Sequence, residues 1–428
     1  MTGGASLLYD RRRSSRGPGG THVKLFFDED DLDGQFQRTL THAYQRAADL
    51  GEAFATAARI TAGDDDSWYA EWAATASVAQ AAAEASRDAG HIRSASDAFL
   101  RAGEYHRQSL FYVRGDLDDP RLLLAYRGLR ECFHAALPGL PWAVEPVRIP
   151  YEDTTLNGYF MAPGDDGRTR PTVLFPAGYD SVAEEAHLYG APALLRDYNV
   201  LSFEGPGQGG VLYEQRLFLR PDFEAVLSPV VDFALADPRV DPQRIVLMGR
   251  SFAGYLAPRG ATAEHRLAAL VCDPGQVDMG ARVKERVPPP VLDLIRAGDA
   301  RADELLAPML ESPEARRTWL PRMAAHDAHT LGEYIRALLS FTLEDRAADI
   351  TSPTLVTEGE GDFVGGQSRR LYELLTCPKE FRPFSAAEGA GGHIEGLGQQ
   401  VWNGFVFDWL DTVLSGRSAR HSQSAAMG

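Results

Sequence analysis

The chain has 428 residues, 44% hydrophobic and 24% charged, the balance of an ordinary globular protein long enough for one large domain with additions or for two domains. A formal net charge of -17 argues against a nucleic-acid surface and a polyanionic substrate, and no apolar run approaches membrane-spanning length. The start, MTGGASLLYDRRRSSRGPGG, has charge but no apolar centre and so reads as no secretory signal; Cys132, Cys272 and Cys377 are odd in number and not spaced for a metal, which points to reduced thiols and a cytoplasmic location.

Residues 1–21, rich in Gly, Ser and Arg, read as a disordered N-terminus. Residues 22–140 read as a helical cap domain, with many alanines and no proline between Pro18 and Pro120. One helix should follow the acidic cluster Asp64-Asp65-Asp66-Ser67, carry Trp68 and Trp72 on one face, and end at Gly90. The next should begin near Ser94, with Asp97 as a short capping box and Phe99, Ala102, Tyr105 and Tyr112 on its apolar face.

The pattern changes at Pro138-Gly-Leu-Pro141. Eight strand-like runs follow: VRIPY, LNGYFMAP, PTVLFP, YNVLSFEGPGQG, RIVLMG, LAALVCD, PTLVTEGEGD and KEFRPF, with helical patterns between the later ones. Buried apolar strands alternating with helices predict a mostly parallel sheet covered on both faces, built from residues 141–278 and 346–415. Residues 279–345 interrupt this series with helix signals, among them Ser312-Pro313 and the capping box Thr330-Leu-Gly-Glu333, and read as a helical lid insertion. Residues 416–428 read as a disordered tail. His326 and His329 flank Asp327, but without HExxH-type context they read as a solvated loop rather than a metal site. Trp68, Trp72, Tyr105, Phe111, Tyr112, Trp319, Tyr334 and Phe341 could wall a cleft, although aromatic residues at helical spacing more often form core.

Three features converge on one chemistry. In LMGRSFAGYLAPRGA (247–261), Ser251 stands between a buried strand and a helix, flanked two residues either side by Gly249 and Ala253. That is a nucleophile elbow with alanine replacing the last glycine of Gly-x-Ser-x-Gly. Asp362 stands just past the strand TLVTEGEGD, with Glu358 and Glu360 as competitors, and His393 sits in the glycine-rich loop AAEGAGGHIEGLGQQ after the last strand. The chain order Ser, Asp, His suits a triad in which His393 takes the Ser251 proton and Asp362 fixes the imidazole tautomer. Oxyanion donors are expected from the backbone N–H groups of Phe252 and Tyr179, with Gly178 allowing close approach and standing as a candidate substrate contact. Pro258 should kink the helix after the serine, because it lacks a donor for the carbonyl of Gly254. The EGPGQG turn lacks the spacing of a nucleotide site, and no metal or cofactor is expected.

The segments GHIRSASDAFLRAGEYHRQS, EGPGQG, GRSFAGYLAPRGA and CPKEFRPFSAAEGAGGHIEGLGQQVWNGFVFDWLD together resemble the α/β-hydrolase family of 2,6-dihydroxypseudooxynicotine hydrolase, fermentation-respiration-switch-type esterases and fungal pigment hydrolases that shorten polyketide chains. The resemblance spans roughly residues 60–415 and implies an α/β-hydrolase fold with a helical N-terminal domain, often dimeric, with the triad on Ser251, Asp362 and His393. It implies hydrolysis of an ester or of a C–C bond beside a ketone in a mid-sized aromatic or polyketide-like molecule. The alternatives are acyl transfer, cyclisation or elimination with the same triad, or a binding protein with a vestigial site.

Overall fold

The structure is a computed structural model that describes residues 23–425; the N-terminal segment 1–21 lies outside the described residues. Eight strands form one sheet: β1 (Ala143–Tyr151), β2 (Thr154–Ala162), β3 (Arg170–Pro176), β4 (Asn199–Phe203), β5 (Val240–Arg250), β6 (Ala269–Asp273), β7 (Thr354–Gly359) and β8 (Lys379–Phe384). Their order is β1-β2-β4-β3-β5-β6-β7-β8; β1–β2 and β2–β4 are antiparallel and every other pair is parallel. The strand composition follows position. All of β4 and β6, and β5 from Ile245 onward, are buried, as parallel strands with helices on both faces must be. The prolines Pro146 and Pro150 of β1 and Pro383 of β8 stand on the two edge strands, where a missing N–H costs least.

The chain divides into two compact units: the sheet unit holds Trp142–Gly205, Asp222–Val277 and Leu343–Gly428, and the helical unit holds Met1–Pro141, Pro206–Pro221 and Asp278–Thr342. The insertion therefore shares a unit with the N-terminal helices. Arg317 in its helix Pro313–Ala325 donates to Asp65 at 2.6 Å and to Asp31 at 3.0 Å. The segment 206–221 joins the same unit, where Arg130 grips Glu214 through two hydrogen bonds of 2.7 and 3.0 Å. That membership has no signal in the sequence, because the glycine-rich run reads with the strand it follows.

Local signals explain several helix ends. Asp64 caps Asp65–Asp88 by accepting from the N–H groups of Asp66 and Ser67, and Gly90, at φ +80°, follows its end. Ser312 and Thr330 cap their helices, the latter with a full capping box. Two expectations are corrected. The helix expected from Ser94 runs Ile92–Leu110 with no side-chain cap, and Asp97 instead pairs with Arg46 at 3.1 Å. The last helix runs Gln399–Ala425, through the start of the expected tail at 416, in a stretch with no proline to stop it.

Of the aromatic residues that could wall a cleft, Trp68, Trp72, Tyr105, Tyr334 and Phe341 are buried core. Trp68 packs on Trp72 and Tyr112 at centroid distances of 5.9 and 5.1 Å, and Trp72 packs on Tyr105 at 5.5 Å. His326 is a further correction to the solvated-loop expectation: it is buried edge-on against Tyr334 and Phe341, and burial lowers its pKa to about 3.

Charge is also buried in this unit. Glu104 accepts from Arg107 twice at 2.7 Å and from Thr39 at 2.8 Å, and lies 2.7 Å from His42. Burial alone would raise its pKa, but the Arg107 guanidinium and then His42 outweigh burial and hold the carboxyl well below the usual range. A pKa lower in the folded than in the unfolded chain contributes stability that is fully present above the ordinary value of 4.5 and is lost as pH falls below it. Urea unfolding followed by tryptophan fluorescence should show Glu104→Gln destabilised by about 3–5 kcal/mol near neutral pH, because Arg107 stays buried without its carboxylate. The variant should also lose part of the wild-type decline in acid; equal midpoints for the two proteins would refute the account.

Candidate active site

The site is built at the carboxyl ends of central strands of the sheet unit. Between β5 and the helix Ala253–Ala261, Ser251 adopts φ +57°, a left-handed conformation that a serine holds only where the surroundings enforce it. The enforcement comes from close backbone packing. A Cβ on Gly249 would overlap the Ala253 carbonyl, and a Cβ on Gly254 would overlap the Pro274 carbonyl. The Ser251 N–H donates to the Asp273 carbonyl at 2.7 Å, tying the turn to the end of β6. Alanine at 253 is fully buried and fits as it stands.

The structure brings Ser251, His393 and Asp362 together. Ser251 Oγ lies 2.9 Å from His393 Nε2, and His393 Nδ1 lies 2.9 Å from Asp362 Oδ1. A carboxylate can only accept, so Nδ1 carries the hydrogen and Nε2 is left to accept from the serine hydroxyl. The Asp362 side chain is buried and takes a further bond from the Val364 N–H at 2.8 Å. The two competing glutamates are engaged with backbone instead. Glu358 accepts from the Gly366 N–H at 3.0 Å, and Glu360 accepts from the Ala386 N–H at 2.9 Å.

The loop after β3 reaches the same place. A Cβ on Gly178 would stand 3.6 Å from the Ser251 Cβ, and the rings of Tyr179 and Phe252 pack at 4.0 Å between centroids. Residues 178, 179 and 252 are thus neighbours of the serine.

Pro258 lies within the helix Ala253–Ala261, which continues past it to Ala261. The carbonyl that proline cannot serve, that of Gly254, accepts instead from the Gln276 N–H at 3.1 Å, and the Gln276 side chain donates to the Ser251 carbonyl at 2.7 Å. Sequence reasoning misses Gln276, whose only signal is the orphan carbonyl that a mid-helix proline creates. It also misses Phe363, whose ring lies 4.5 Å from that of His393.

Comparison with known proteins agrees with this architecture. Residues 29–297 match the family described as "Esterase FrsA-like". The chain belongs to the FrsA-like esterase family. Relatives of this esterase-family chain include 20-hydroxy-prefusarin hydrolase FUS2 of Gibberella moniliformis, 37% identical over 91% of this chain and 98% of that protein. Hydrolase LUC6 of Fusarium sp is 31% identical over 88% of this chain and 95% of that protein. The solved structure of 2,6-dihydroxy-pseudo-oxynicotine hydrolase shares the fold, with a TM-score of 0.68 at 21% identity over 88% of this chain and 95% of that chain. The protein is accordingly an enzyme of the α/β-hydrolase type, and among its described residues no helix is long and apolar enough to cross a membrane.

The tightness of the elbow can be measured. Gly249→Ala should cost about 3 kcal/mol or more, because backbone rather than a flexible side chain meets the new methyl group. Ala253→Gly, which restores the usual glycine, should cost no more than about 1 kcal/mol. Urea midpoints for the two variants check the contrast, and an unperturbed Gly249→Ala protein would contradict it.

Proposed function

We propose that this FrsA-like enzyme is a serine hydrolase that cleaves an ester, or a C–C bond beside a ketone, in a mid-sized aromatic or polyketide-like small molecule. The observation that carries the proposal is the continuous chain Ser251 Oγ–His393 Nε2 and His393 Nδ1–Asp362 Oδ1, each link 2.9 Å, behind a serine held at φ +57°. Each member has a role that its chemistry suits. Ser251 Oγ attacks the substrate carbonyl carbon while His393 Nε2 takes its proton. Asp362 keeps Nδ1 protonated and stabilises the imidazolium that forms. The N–H groups of Phe252 and Tyr179 receive the developing oxyanion, and the helix Ala253–Ala261 adds partial positive charge at its start.

Collapse of the tetrahedral intermediate expels an alkoxide, or an enolate when a C–C bond breaks, and His393 returns the proton to it. Water then attacks the acyl-enzyme by the same steps in reverse order of roles, restoring the serine and adding one water to the products. The name of the relative FUS2, a hydrolase of 20-hydroxy-prefusarin, supports a small-molecule substrate and net addition of water. The Phe363 ring, tilted by 44° to that of His393 at 4.5 Å between centroids and largely exposed, offers an apolar surface beside the base, suited to an aromatic or polyketide-like substrate.

A fluorophosphonate probe should label Ser251 in the wild-type protein and leave Ser251→Ala unlabelled. Asp362→Asn should lower the labelling rate by roughly 10³–10⁴-fold, the loss expected when the imidazole takes the wrong tautomer. Turnover products should exceed the substrate mass by one water. An isomer or a dehydrated product would replace hydrolysis by cyclisation or elimination, and labelling that persists in Ser251→Ala would remove Ser251 as nucleophile.

A further inference from the structure

Arg250 stands between the last apolar residues of β5 and the serine, a position where the elbow pattern sets no requirement. Its side chain is only 6% exposed, and each of its guanidinium nitrogens has a partner. Nε donates to Asp273 Oδ2 at 2.9 Å, Nη1 to Gln399 Oε1 at 2.8 Å, and Nη2 to the Ile394 carbonyl at 2.9 Å and to Glu395 Oε2 at 3.3 Å. The guanidinium also lies over the Trp402 ring, 4.2 Å from its centroid. These partners come from the end of β6, the loop that carries His393, and the final helix.

The segment just after His393 needs such support. Ile394 and Glu395 have φ of +45° and +60°, a left-handed region that non-glycine residues rarely hold in succession. The Ile394 carbonyl receives Arg250 and also the Gln399 amide, the latter at 2.7 Å, and Gln399 bonds the Gly396 carbonyl at 2.9 Å as well. We infer that Arg250 is a positioning residue of the hydrolytic site, tying the histidine loop to the serine turn through Ile394, Glu395 and Gln399 and thereby setting the Ser251–His393 distance. The inference rests on the proposed nucleophilic role of Ser251.

The charges in the cluster fit this role. Asp273 and Glu395 both have fully buried side chains, which would leave two carboxylates facing one arginine. Burial first, and then the Asp273 charge, push the Glu395 pKa well up and so favour its neutral form. Its Oε1, buried without another partner, can then donate to Asp273 rather than repel it. Arg250 and Asp273 remain as one balanced pair, with Asp273 Oδ1 also held by the Thr357 hydroxyl at 2.8 Å.

The test uses the full-length protein with a fluorophosphonate probe and proton NMR of the downfield resonance from the His393–Asp362 hydrogen bond. Labelling of wild-type Ser251 comes first, since its absence refutes the hydrolase reading and not the clamp. Arg250→Met should label at least about tenfold more slowly while its melting curve remains cooperative, and the downfield resonance should broaden or vanish. Arg250→Lys, which restores the charge but not the fork, should recover only part of the rate. If Arg250→Met does not fold, Gln399→Leu decides: labelling slowed several-fold with a weakened downfield resonance supports the clamp. Folded Arg250→Met, or failing it Gln399→Leu, with wild-type labelling and an unchanged resonance overturns it.

Discussion

The left-handed turn at Ser251 is possible because the backbone of residue 249 lies directly against that of residue 253. With no Cβ at Gly249, β5 and the following helix can approach until the Ala253 carbonyl fills the space where a side chain would begin. That approach turns Ser251 out of the strand and points Oγ at His393 Nε2. It also places residue 252 beside Tyr179, in the loop after the neighbouring strand β3. The identity of residue 253 matters less than its size, which is why alanine there is compatible with the turn. The position whose backbone leaves no room is 249.

Polar side chains are placed around this turn so that none of the buried charge is left uncompensated. Arg250 faces Asp273, burial and the Asp273 charge drive Glu395 toward its neutral form, and Asp362 meets His393. Each carboxylate is thereby either paired with a cation, neutral, or bonded to the imidazole, the arrangements in which a buried acid group is tolerable. The same logic runs in the helical unit, where Glu104 is ionised because Arg107 and His42 face it. The two buried glutamates differ in the sign of their pKa shift because one has a dedicated arginine while the other shares its arginine with a second carboxylate.

Much of the sheet was legible because a strand buried on both faces must be apolar along its length, and runs such as RIVLMG and LAALVCD carry that mark. That Ser251, Asp362 and His393 meet was legible for a related reason: Ser251 and Asp362 each follow such a run, His393 follows the mixed edge strand KEFRPF, and chain order restricts which loops can meet at one end of a parallel sheet. Asp362 was separable from Glu358 and Glu360 only by its offset past the strand, and the observed pairing of the two glutamates with the Gly366 and Ala386 backbone N–H groups explains that offset. What the sequence could not convey was partnership between distant residues without periodic pattern. Nothing local links Arg130 to Glu214 or Arg317 to Asp65, so the membership of 206–221 and of the insertion in the N-terminal helical unit was invisible. A charged residue at the end of an apolar strand, as Arg250 is, likewise has no signature until its partners are assembled.

Pro258 shows how a violation of local rules can be absorbed by the site it adjoins. A proline in the middle of a helix removes one backbone donor, and the carbonyl four residues earlier is then open to another partner. Here that carbonyl belongs to Gly254, three residues from the serine, and the N–H that answers it comes from Gln276, just beyond β6. The Gln276 side chain then reaches the carbonyl of Ser251 itself. The orphan created by Pro258 therefore becomes one of two bonds by which the segment after β6 holds both ends of the first helical turn. A residue with a backbone N–H at 258 would compete with Gln276 for the Gly254 carbonyl, so the proline reserves that acceptor for the segment that steadies the serine.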